Sequence, residues 1–132
     1  MHGLMATTAA AVLAGALGLA ACATGAGQAD NGRSCFYARN VNSWTAVDRT
    51  TVNIRVGVND DYQLILQGDC PNIDWTHGIG LEHRGASWIC SGLDATLIVP
   101  QQTQVPPMRC PVTSIRKLSP AEVAALPPKD KP

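Results

Sequence analysis

From Thr51 to Val58 the chain alternates without interruption: Val52, Ile54, Val56 and Val58 fall on one side, Thr51, Asn53 and Arg55 on the other. Successive side chains of a strand point to opposite faces, so this period of two is the mark of a half-buried antiparallel strand. Asn59-Asp60-Asp61 supplies a turn, and Tyr62-Gln63-Leu64-Ile65-Leu66-Gln67 supplies the returning strand. Residues 51–67 therefore read as a β-hairpin. Its interior row is expected to be Val52, Ile54, Val56, Leu64 and Leu66, with Asn53, Arg55 and Gln63 facing out. Such a strand cannot slip by one residue without exposing its whole apolar row.

The neighbouring segments extend the pattern. Ser43 to Val47, turning at Asp48-Arg49, makes a meander with the hairpin. Further strands are expected at Ser87–Cys90, at Leu93–Val99 before Pro100, and at Val112–Arg116, with Cys35–Val41 adding another. Residues 71–85 and 101–108 have no clean period and read as loops. Ser119-Pro120-Ala121-Glu122 has the form of a capping box, with Pro at the first helical position. The spacing predicts a helix from Pro120 to Leu126, stapled by Leu118 and Val123, and a frayed tail over residues 128–132. The fold class is mainly β: a small antiparallel barrel or rolled sheet of about five to seven strands with a short C-terminal helix.

The N-terminus carries an address. Residues 6–21 are uncharged and rich in Ala, Gly and Leu, and they end in Leu19-Ala20-Ala21-Cys22. Such a stretch is the apolar core of a secretory signal. Its end resembles the lipobox of bacterial lipoproteins, in which the Cys thiol receives a diacylglycerol and a peptidase cuts before it. Met1-His2-Gly3-Leu4-Met5 lacks the Lys or Arg usual in such signals. The resemblance implies a signal peptide over residues 1–21, lipidation at Cys22, a flexible tether over 22–33, and one domain over 34–127. Ala23, where sorting systems read Asp as a retention mark, implies the outer membrane, facing the periplasm.

Setting Cys22 aside, four cysteines remain: Cys35, Cys70, Cys90 and Cys110. In an exported domain of about 100 residues they read as two disulfides. Four cysteines allow three connectivities, and the preferred one joins Cys35 to Cys110 and Cys70 to Cys90. Zinc is disfavoured, because the gaps do not follow the close-paired spacing of zinc ligands.

Composition narrows the function classes. Ten Lys and Arg balance ten Asp and Glu, whereas a sequence-independent nucleic-acid binder needs surplus positive charge. Asp74, His77, Glu82 and His83 fall within ten residues and suit a metal or acid–base site by residue type but match no standard spacing. Of Trp44, Trp75 and Trp88, most are expected in the core; Trp75, in a loop, is the candidate for a binding platform. Asp48 and Asp94 read as turn residues. The candidate ligand-binding set is thus Trp75, Asp74, His77 and His83, with no catalytic residue, metal or cofactor assigned.

The lipobox, Trp44-Thr45-Ala46-Val47-Asp48-Arg49-Thr50-Thr51, Tyr62-Gln63-Leu64-Ile65-Leu66-Gln67-Gly68-Asp69-Cys70, Ile89-Cys90-Ser91-Gly92-Leu93-Asp94 and Cys110-Pro111-Val112-Thr113-Ser114-Ile115-Arg116-Lys117-Leu118 together resemble a family of short bacterial envelope lipoproteins whose domain has no assigned function. The resemblance spans Cys35 to Leu118 and carries no catalytic residue. The expected role is a non-catalytic binding or structural module, held to the membrane by its N-terminal lipid. Its expected partner is an envelope protein, the cell wall or a small ligand. The alternatives are a small hydrolase or metal-dependent enzyme using the Asp74–His83 loop, and a periplasmic enzyme inhibitor.

Overall fold

The computed structural model describes residues 35–85 and 87–132. The expected signal, the lipidated Cys22 and the tether lie outside the described residues. Eight strands follow one another: β1 (Phe36–Tyr37), β2 (Val41–Ala46), β3 (Thr51–Val56), β4 (Asp60–Leu66), β5 (Gly80–His83), β6 (Trp88–Ile89), β7 (Ala95–Val99) and β8 (Met108–Lys117). Helix α1 (Pro120–Ala125) comes after them. Six strands form one curled antiparallel sheet in the order β2-β3-β4-β8-β7-β5, and β1 pairs with β6 beside it. The mainly-β class read from the sequence is the one observed.

The alternation of the central hairpin sets the core. Register places Trp44, Ile54 and Tyr62 in one row, and Ala46, Val52, Leu64 and Ile115 in the next. Val52, Ile54, Val56, Leu64 and Leu66 are all buried, as the period of two requires. Leu97 and Val99 of β7 and Val112 of β8 continue the apolar lining round the curl. Phe36 closes it from β1, its ring 4.8 Å from that of Tyr62. Val58 departs from the expected row: β3 ends at Val56, Gly57 turns the chain at φ 61°, and Val58 is 83% exposed.

The outer face of the hairpin corrects the sequence reading. Asn53 does face away from the core, yet it is fully buried, because the C-terminus lies on it. The last residues do not fray. Pro128–Asp130 forms a 3-10 turn, the Asn53 amide donates to the Asp130 carbonyl at 2.8 Å, and the Thr45 hydroxyl donates to that of Lys131 at 2.8 Å. Gln63 donates to Asn53 Oδ1 at 3.2 Å, and Arg116 donates to Gln63 at 3.2 Å and to Glu122 at 2.6 Å. A polar ladder thus crosses four strands and ends on helix α1. That helix has the expected capping box, with the Glu122 N–H donating to the Ser119 hydroxyl and the Ser119 N–H to the Glu122 carboxylate.

The disulfides join Cys35 to Cys90 and Cys70 to Cys110, not Cys35 to Cys110 and Cys70 to Cys90. Strand pairing explains the first bridge. Phe36 faces Ile89 and Tyr37 faces Trp88, so continuing that antiparallel register brings residue 35 opposite residue 90. The second follows from the pairing of β4 with β8: the Gln67 N–H donates to the Pro111 carbonyl, so Cys70 arrives beside Cys110. The bridges span 55 and 40 residues. The chain-entropy argument gives about 4 kcal/mol for each. Three boundaries also move. Gly80–His83, expected in a loop, is a sheet strand. Gly92–Asp94 is a 3-10 turn ahead of β7. Strand β8 starts at Met108, four residues before the expected strand.

Candidate functional site

Asp74, His77, Glu82 and His83 do not come together. Asp74 and His77 lie in the exposed turn after Cys70, whereas Glu82 and His83 are successive residues of β5 and so point to opposite faces. Glu82 is occupied by an ion pair with Arg109. Among the described residues no group of three His, Cys, Asp or Glu side chains is placed to hold a metal ion. The two turn aspartates do what turn residues do. Asp48 accepts the N–H and hydroxyl of Thr50, each at 2.7 Å, and these bonds hold its carboxyl below the ordinary carboxylate value. Asp94 accepts the N–H and hydroxyl of Ser91, both at 3.0 Å.

The tryptophans divide. Trp44 is half-buried against the core, Trp88 is 46% exposed and Trp75 is 77% exposed, so only one of the three meets the expectation of a core residue. Trp88 packs against Tyr37 with ring centroids 3.7 Å apart and planes tilted by 34°, and the Arg39 guanidinium lies over the Tyr37 ring, 4.8 Å from its centroid. This cluster sits beside the Cys35–Cys90 bridge and is occupied with itself.

Trp75 stands differently. The chain leaves Cys70 and turns at Asn72, whose φ of 65° lies in the left-handed region that Asn tolerates better than most residues. The N–H groups of Trp75 and Thr76 both donate to the Asn72 carbonyl at 3.1 Å. Ile73 plunges fully buried into the core while Trp75 is turned outward. Facing this turn is the loop after β7, tightened by a hydrogen bond of 3.0 Å from the Val105 N–H to the Gln102 carbonyl. Between the two lies an open hollow of about 450 Å³. Asn72, Trp75 and Thr76 form one wall, and Pro100, Gln101, Gln102 and Val105 form the other. The walls are tied across by the Asn72 amide, which donates to Gln101 Oε1 at 3.0 Å, and Gln101 in turn donates to the Val99 carbonyl at 3.3 Å. Both walls rise from residues close to the Cys70–Cys110 bridge.

A second hollow, of about 270 Å³, opens where the free edges of β2 and β5 approach. Trp44, Ile54, Leu81 and Leu97 line it, so it is a crevice in the core with an apolar floor.

Sequence reasoning named Trp75 but missed Asn72, Gln101 and Gln102. The available signal was an amide-rich loop, Gln101-Gln102-Thr103-Gln104, directly after a strand stopped by Pro100. Nothing in the spacing says that this loop meets residues 72–76; that follows from the sheet order. No curated protein and no solved structure is matched by the chain. Residues 5–131 match the family described as "Family of unknown function (DUF6491)", and the chain belongs to that family.

Proposed function

We propose that this protein is a lipid-anchored component of the bacterial envelope whose domain is a non-catalytic binding module, and that the Trp75 hollow is its binding site. The observation that carries the reading is the indole of Trp75, 77% exposed on the rim of a hollow whose two walls are fixed by hydrogen bonds. An aromatic side chain offers about 150–250 Å² of contact surface, and leaving it in water forgoes a large burial term unless a partner covers it. Val105, also exposed, widens the apolar rim. The anchor rests on Leu19-Ala20-Ala21-Cys22, and the outer-membrane assignment on Ala23. The two acyl chains of the diacylglycerol hold far more firmly than one, at about 0.8 kcal/mol for each buried methylene.

Two experiments test this. Cys22→Ser is expected to abolish lipid labelling and to release the protein from the membrane fraction; labelling that persists contradicts the anchor. For the module, solubilised envelope is passed over immobilised wild-type protein and over Trp75→Ala. Retention of an envelope component by wild type and its loss in the variant supports the site. Equal retention, or none by either, overturns it.

A further inference from the structure

We infer that the Trp75 hollow takes a neutral saccharide, an inference that rests on the binding-module reading and names its ligand class. Three observations converge. The first is the platform: an exposed indole beside a concave surface presents a flat π-face, and the C–H face of a pyranose ring is an apolar, electropositive surface that stacks on it. The second is the polar lining. Asn72, Gln101 and Gln102 supply three carboxamides, each with both donors and an acceptor, which match the mixed donor–acceptor character of sugar hydroxyls. The Asn72–Gln101 and Gln101–Val99 bonds fix two of these amides and use one N–H of each. Asn72 Oδ1 and a second N–H on each amide are left to meet a ligand. A few polar groups set around an apolar platform is the usual make-up of a small-molecule site.

The third observation is charge. Among the described residues, none that lines the hollow is ionisable. A charged ligand would find no counter-ion there. A wholly apolar ligand would cover the three amides without giving them hydrogen-bond partners, which costs free energy for each. A neutral polyhydroxylated ring satisfies both conditions. The hollow of about 450 Å³ is open at its rim, so a sugar ring can enter it from solvent.

The test uses the full chain in a detergent without a sugar headgroup. The three tryptophans give three indole N–H resonances in a nitrogen-15 correlation spectrum, assigned by Trp→Phe replacement at each position. Chitotriose, cellotriose and maltotriose are titrated in turn. At least one is expected to shift the Trp75 resonance saturably while those of Trp44 and Trp88 stay in place. Trp75→Ala is expected to weaken binding about tenfold or more, equivalent to about 1.4 kcal/mol, and Gln101→Ala to weaken it less. Since Trp75 is exposed, its replacement leaves the fold intact, which the unmoved Trp44 resonance verifies. If no saccharide shifts Trp75 while envelope retention still depends on Trp75, the ligand class is wrong and the binding site stands. If neither is seen, both fall. A saccharide that shifts Trp88 instead overturns the placement of the site.

Discussion

Asn53 shows what a single residue can hide. Its position on the outer face of β3 followed from the alternation, and an exposed Asn could be replaced at little cost. In the structure its amide is buried beneath the C-terminal turn and bonded to the Asp130 carbonyl and to Gln63. Asn53→Ala leaves that carbonyl without its donor, so a loss of about 1–3 kcal/mol is expected in denaturant unfolding. Ile54→Ala, on the core face, should cost about 2–5 kcal/mol. Next to it, Arg55 grips Asp61 with bonds of 2.8 and 3.2 Å, and the two partners are unequally covered: Asp61 is buried, while Arg55 is one-third exposed. Removing the cation strands a buried carboxylate, whereas removing the carboxylate leaves a guanidinium that water can reach. Arg55→Met is therefore expected to destabilise more than Asp61→Asn, with a loss below the roughly 3–5 kcal/mol typical of a fully buried pair, because water reaches the guanidinium. Equal losses from the two, measured by chemical denaturation, would contradict this asymmetry.

At the scale of elements, local signals were readable and long-range ones were not. The hairpin, the strand before it and the capping box of α1 each declare themselves in a short run of adjacent residues. Strand β5 does not: Gly80-Leu81-Glu82-His83 has too few residues to show a period, and it is a strand because β7 pairs with it. The docking of Pro128–Asp130 was equally illegible, since it depends on Thr45 and Asn53, more than 75 positions earlier. Two elements tie stability to pH. The Thr50 hydroxyl, then its N–H, holds Asp48 at the turn between β2 and β3 below its ordinary value of 3.8. The Ser119 N–H, then Arg116, holds Glu122 in α1 below 4.5. A carboxyl with a lowered folded pKa binds fewer protons folded than unfolded. Its contribution is therefore present above the unfolded value and is lost as pH falls through the folded one. Melting temperature is expected to decline as pH drops below about 4, near the ordinary carboxylate values. In Asp48→Asn and Glu122→Gln that decline should be shallower, with a lower plateau at neutral pH. A variant that keeps the wild-type slope would show that its carboxylate contributes nothing to acid sensitivity.

For the whole molecule, the question is how a small sheet holds the proposed binding surface still. The polar ladder from Thr45 to Glu122 stiffens one face, and the apolar rows fill the curl behind it. The hollow is built at neither; it lies between two loops that the sheet order brings together. Its first wall starts two residues after Cys70, and its second leads through β8 to Cys110. The Cys70–Cys110 bridge, with Cα atoms 5.8 Å apart, thus ties the bases of both walls, so the pairing of cysteines is also the statement of how the site is held. The sequence allowed three pairings, and the preferred one, Cys35 to Cys110 and Cys70 to Cys90, was wrong because cysteine positions along the chain say nothing of which strands are neighbours. Peptide mapping of the unreduced protein after trypsin decides the matter, since each of the four cysteines lies on its own tryptic peptide: residues 34–39, 56–84, 85–109 and 110–116. The structure predicts that 34–39 is recovered linked to 85–109, and 56–84 linked to 110–116. Recovery of 34–39 linked to 110–116, with 56–84 linked to 85–109, would contradict both the fold and the site built on it.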